Sequence, residues 1–158
     1  MVDRRDVASW LQGPTARNPA PQDYPGKRLG LPERGPGSVG RLGRRLVGIV
    51  VDWTLAQLLA WLVLHVGWGQ TGAASFAPLA VFAVLHLVLV STFGFTVGHR
   101  VVGLGVLSLS GGRPRPVQVL IRTLLLCLAI PALMWDRDDR GLHDRAASTV
   151  LVRMGEPA

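Results

Sequence analysis

The apolar residues of this chain gather in three long blocks instead of alternating with polar ones. A soluble domain scatters its apolar side chains with a period of 2 or 3.6 residues. Blocks of roughly 18 or more instead match the hydrocarbon core of a bilayer, about 30 Å thick. The first block, Leu46–Val66, predicts a membrane-crossing helix, and the second, Phe76–Val97, predicts another. The third, Val117–Trp135, holds Arg122 and Pro131. It is just long enough to cross, and its proline suits equally well a segment that breaks and turns back. Val101–Leu107 is β-prone and ends in the turn signal Ser110–Pro114, and Ser148–Val152 is β-prone again. The expected fold is an all-α membrane bundle. It has two transmembrane helices, a third spanning or re-entrant helix, and a short β-hairpin at the cytoplasmic face.

Ahead of the first block, Pro14, Pro19, Pro21, Pro25, Pro32 and Pro36 interrupt a glycine-rich stretch. Such a composition cannot bury enough surface to fold alone, so residues 1–43 read as a disordered cytoplasmic tail. A short helix at Val7–Leu11, laying Trp10 and Leu11 on the interface, is the alternative for its start. The membrane domain is expected over 44–153, followed by a tail at 154–158. Gly94 and Gly98 have the spacing that lets helices approach closely. A helix terminus at Gly98 reads equally well.

The net charge of +7 rests on seventeen basic residues, all but Lys27 arginine. They flank the apolar blocks, with no zinc-finger spacing and no stacked-aromatic platform, so nucleic acid is not an expected partner. Acidic lipids and the orienting charge of a membrane protein explain the excess. Nine basic residues precede the first block, none lies in Gly67–Ser75, three lie in 98–116 and four follow the third block. Basic loops stay cytoplasmic, so the N-terminus is expected inside a multi-pass protein of the cell membrane. A re-entrant third block would return the C-terminus to that side and let the two β-prone stretches pair. The single Cys127 lies in an apolar block and reads as a packing residue. No secretory leader is apparent, and the first block would serve as an uncleaved signal.

The chemistry lies in the ionisable residues among the apolar ones. Asp52 follows Arg45 by seven residues, two turns along one helix face and roughly 10 Å deeper. A carboxylate at that depth costs several kcal/mol unless it faces the protein interior and is paired. Asp52 is therefore either an ion or proton site or one half of a structural ion pair. Arg122, entering from the cytoplasmic side to a similar depth, is its expected partner, and Arg45 is the second candidate. His86 lies near the bilayer centre, where it could relay a proton or simply pack as a neutral ring. His65, Trp61 and Trp68 fall at the outer interface. Asp144 is expected either to cap a short helix, to pair with an arginine of 98–116, or to lie in a surface turn. No metal or cofactor site is expected, nor an enzyme: nucleophile elbow, P-loop and zinc spacings are missing.

The stretch Arg45-Leu46-Val47-Gly48-Ile49-Val50-Val51-Asp52 resembles the first helix of the RDD family, in which an arginine opens the helix and an aspartate follows seven residues later. Thr96-Val97-Gly98 resembles its segment after the second helix, Arg122 its third-block arginine, and Arg140-Gly141-Leu142-His143-Asp144 its C-terminal signature. The arginine and two aspartates of the family's name would then be Arg45, Asp52 and Asp144, over residues 41–153. Gly48 departs mildly, a small residue such as alanine being commoner there. The resemblance implies a membrane protein for which transport of unidentified ligands, and for some members sodium–proton exchange, has been suggested. Two functions follow as expectations. One is ion, proton or small-solute transport through the buried charges, which needs a homo-oligomer because three blocks make few walls. The other is a scaffold or accessory subunit whose basic tail meets a membrane protein partner or acidic lipid.

Overall fold

The computed structural model describes residues 24–67, 69–128 and 140–155. The expectations for residues 1–23, Trp68, Pro131 with the rest of 129–139, and 156–158 lie outside the described residues.

Helix α1 spans Leu42–Leu64. Its buried positions, Arg45, Gly48, Asp52, Ala56 and Ala60, recur every three or four residues and form one stripe. The opposite face turns Val50, Leu58, Trp61 and Leu62 outward. The helix starts ahead of the apolar block because the Arg45 N–H already bonds the Arg41 carbonyl. Hydrogen bonding, not hydropathy, sets that end. The helix stops at His65, whose left-handed backbone (φ 55°) turns its N–H back to the Ala60 carbonyl. At 23 residues and about 1.5 Å each, α1 is about 35 Å long, enough to cross a hydrocarbon core.

Helix α2, Ala77–Phe93, is entered through a 3-10 turn at Gly72–Phe76. Pro78 sits in its first turn, where a missing N–H costs nothing. Pro78, Phe82, His86 and Val90 form its buried stripe. The helix was expected to reach Val97 and ends four residues sooner. Gly94 adopts φ 80° and sends its N–H to Val90, a conformation that closes a helix and that glycine alone adopts freely. The Gly94–Gly98 spacing therefore joins two different helices. Gly94 is a terminus, and Gly98 lies in α3, Val97–Val101.

Strand β1, Leu104–Ser108, pairs antiparallel with β2, Thr149–Arg153, placing Leu104 opposite Arg153 and Ser108 opposite Thr149. The two β-prone stretches thus meet as their pattern suggested. Between them lie α4, Pro116–Cys127, and α5, Leu142–Ala146. The other edge of β2 is covered by the incoming chain, where Val39 bridges Val152 and the Gly40 N–H bonds the Leu151 carbonyl at 2.8 Å. Leu29 and Leu31 pack beside them. The packed chain therefore begins ahead of residue 44. Helix α4 has twelve residues, about 18 Å, short of a crossing on its own. Because β1 and β2 pair, the chain that leaves the sheet for α4 comes back to the same sheet.

Two apolar clusters tie these parts together. Val90, Leu104, Val106, Val119 and Leu151 seat the sheet on α2 and α4, while Ala56, Phe82 and Leu126 join the three longest helices. Around them the usual arrangement is reversed. Arginine, aspartate and histidine side chains are buried, and large apolar ones are exposed on every long helix. Only 22% of the most apolar stretch of α1, and 17% of that leading through α2, is buried within the chain. The core helix of a soluble domain would be mostly buried.

Candidate functional site

Asp144 stands in the first turn of α5 and is wholly shielded from solvent. Its Oδ2 accepts a hydrogen bond from Arg45 Nη1 at 3.2 Å, and its Oδ1 lies 2.9 Å from Arg122 Nε. His143 Nε2 is 3.6 Å from the same oxygen, and the Thr149 hydroxyl reaches Oδ1 and the Asp144 carbonyl, each at 3.3 Å. Arg45 also donates to the carbonyls of Gly40 (2.7 Å) and Leu151 (3.4 Å). One carboxylate therefore binds α1, α4 and the sheet to α5. Burial alone would raise the Asp144 carboxyl. The Arg122 guanidinium, with His143 and Arg45, outweighs burial and holds it below the usual carboxylate range.

This overturns the expected pairing of Arg122 with Asp52, with Arg45 as alternate. Both guanidiniums face Asp144 instead. The cause is the β1–β2 ladder, which brings α5 against α4 and the start of α1, whereas Asp52 sits two turns farther along α1. Nor does Asp144 meet an arginine of the 98–116 loop or lie in a surface turn.

Asp52 has neutral partners. Its Oδ1 accepts the Gly98 N–H at 2.7 Å, and its Oδ2 accepts the Thr96 hydroxyl in a short bond. Thr96 caps α3: its hydroxyl accepts the His99 N–H, and His99 Nδ1 accepts the Thr96 N–H in return. The approach of α3 to α1 needs glycine at position 98. A Cβ there would lie 2.8 Å from Asp52 Cγ and collide with the Gly48 carbonyl oxygen.

His86 completes this second group. Its Nδ1 is 3.1 Å from the Phe82 carbonyl, which can only accept, so that bond assigns the hydrogen to Nδ1. Nε2 is buried, makes no hydrogen bond among the described residues, and lies 3.8 Å from Asp52 Oδ2. In a neutral ring Nε2 is a bare acceptor facing a carboxylate. One proton, on either atom, would convert two opposed acceptors into a donor and an acceptor.

His99 links the two groups. Its ring lies edge-on to His86, 6.0 Å between centroids, and lines a small cavity with Arg45, Arg122, His143 and Asp144. The cavity volume is about 20 Å³, room for about one water. Arg122 Nη1 is buried and has no hydrogen-bond partner among the described residues. Burial, then the charge of Arg122, pushes the His99 imidazole well below its ordinary value, so it is neutral at pH 7.

Of the residues singled out in the sequence, Arg45, Arg122 and Asp144 meet in one group and Asp52 and His86 in the other. Thr96, Gly98 and His99 were not recognised as part of the site. Their traces in the sequence are the Thr96-Val97-Gly98 stretch of the resemblance and Thr96 three residues before His99, a capping spacing with histidine where glutamate or glutamine is usual. Among the described residues no three His, Cys, Asp or Glu side chains are gathered to hold a metal ion. Trp61 and His65 are exposed near the far end of α1, and Cys127 packs beside the Phe82 cluster.

A family model described as the RDD family matches residues 39–148, most of the chain. No curated protein and no solved structure matches it.

Proposed function

This chain belongs to the RDD family, and from that premise we propose that it is a multi-pass protein of the cell membrane that carries protons across the bilayer through Asp52 and His86. The observation that carries the proposal is the buried Asp52–His86 pair, with Nε2 and Oδ2 at 3.8 Å inside a shell of outward apolar side chains. Intramembrane ionisable groups are costly and mark ion or proton pathways when they face the protein interior. Both Asp52 oxygens already accept hydrogen bonds from Gly98 and Thr96, which leaves little coordination for a metal cation and favours a proton as the carried species. His99 and the small cavity continue the polar track toward the Asp144 group, which acts as a structural lock.

Helices α1 and α2 cross the membrane, and the chain that leaves β1 returns at β2 to the same face, a reading supported by the pairing of the two strands. The arginine-rich start of α1 sets both that sheet and the N-terminus in the cytoplasm. A homo-oligomer supplies the walls that three apolar segments lack. On this reading the protein is not an enzyme.

Proteoliposomes with an internal pH dye test the proposal. Asp52→Asn and His86→Gln should each lower proton flux at least tenfold while the protein still elutes as a folded species in detergent. Flux unchanged in folded Asp52→Asn would refute it. Deleting residues 1–23, which spares the packed 29–40 segment, should leave flux intact, whereas a scaffold acting through the basic tail would lose its partner.

A further inference from the structure

On the membrane placement proposed above, we infer that the chain holds one anionic phospholipid in a composite site formed by Arg44, Arg100 and Arg153 and the apolar groove beside them. The site shares no residue with the Asp144 group. A cavity of about 610 Å³ opens where the start of α1, the end of α3 and the open end of the β1–β2 ladder converge. Among the described residues its lining carries those three arginines and no carboxylate. Arg44 is held in place by a hydrogen bond from Nη1 to the Val102 carbonyl at 2.9 Å, and Arg100 lies 5.7 Å over the Phe95 ring.

A second groove of about 310 Å³, apolar but for Thr96 and Arg100 in its walls, adjoins it, and both share Arg100 and Val101. This groove runs over Leu89 and Phe93 of α2, on the outward surface that meets lipid, and over Phe95 and Val97. The combination identifies the occupant. Three clustered guanidiniums match a phosphodiester, and the adjoining groove matches an acyl chain descending along α2. A soluble phosphate would use only the first half. The level is right as well. Arg44 occupies the first turn of α1, where the helix enters hydrocarbon, and basic pockets beside spanning helices suit acidic headgroups.

The test uses the full chain in an uncharged detergent, with added phosphatidylglycerol or phosphatidylcholine and retained lipid counted by native mass spectrometry. Phosphatidylglycerol should be retained about tenfold over phosphatidylcholine. Arg100→Gln with Arg153→Gln should erase that preference, on the scale of about fivefold for each guanidinium near a membrane surface. Phe93→Ser with Val97→Ser should weaken retention of both lipids. Preference that persists in the double arginine variant would overturn the site, placing the binding elsewhere, such as the basic tail. In the unmodified chain, glycerol phosphate displacing phosphatidylglycerol at equal concentration would overturn it too, because the pocket would then take a soluble phosphate. A chain that stays dissolved without detergent defeats the membrane placement itself. A detergent-requiring chain with no anionic preference defeats only the lipid site.

Discussion

Asp144 and Asp52 are both buried aspartates, yet their partners give them different work. Asp144 offsets two guanidiniums, so Asp144→Asn removes the buried carboxylate that Arg45 and Arg122 share. Breaking a buried ion pair from one side costs about 3–5 kcal/mol. Asp52 receives neutral donors from Gly98 and Thr96, and an asparagine oxygen can still accept one of them. Asp52→Asn should cost no more than about 2 kcal/mol. Thermal melts in detergent should rank the variants in that order, and the reverse order would refute the division between lock and proton site. His99 makes a further prediction at this scale. Its folded-state value is depressed, so the unfolded chain takes up a proton that the folded chain refuses. Its contribution is complete above about pH 6.5 and is lost as pH falls, by up to about 1.4 kcal/mol per pH unit. The Asp144 contribution persists to lower pH and is lost only below the usual carboxylate range. His99→Gln keeps the reciprocal cap and removes the titration, so it should flatten the fall in melting temperature between pH 7 and 5.

At the scale of elements, the crossing of α1 and α3 is set by two glycines with unequal demands. A Cβ at Gly98 collides with the Gly48 carbonyl, whereas one at Gly48 meets its nearest neighbours, the Gly98 carbonyl and Val102, at 3.4 Å. Gly98→Ala should yield little folded protein on size exclusion. Gly48→Ala should stay within about 1 kcal/mol of the parent, its added contacts balanced by better helix propensity. The two long apolar helices, the strand pair and the Arg45/Asp52 face could be read from the sequence because each rests on a local pattern: block length, β-branched runs and a seven-residue spacing. The end of α2 could not, because hydropathy continues through Gly94 while backbone conformation does not. The choice of Asp144 over Asp52 as the partner of Arg122 was also hidden. It depends on where the ladder returns the chain, and no spacing along one helix encodes that. Thr96 and Gly98 escaped for the same reason: they meet Asp52 only through the close approach of a different helix.

The whole molecule is a polar interior in an apolar coat. Asp144, Arg45, Arg122, Asp52, His86 and His99 are almost fully shielded, while Val50, Leu58, Leu62, Val84 and Val88 stand outward at half exposure or more. In water that coat would be an aggregation surface far larger than monomeric soluble proteins carry. In a bilayer it is the expected surface, and the buried charges gain from it because the ions remain among their partners instead of in hydrocarbon. Spin labels placed singly at Val50, Leu58, Val84 and Val88, in a Cys127→Ser background in liposomes, test this most directly. Collision with dissolved oxygen should dominate at all four, while a label at Ser110 in the β1 turn should collide mainly with a water-soluble nickel complex. Nickel collision at the four helix positions as strong as at Ser110 would contradict the assignment of α1 and α2 to the bilayer.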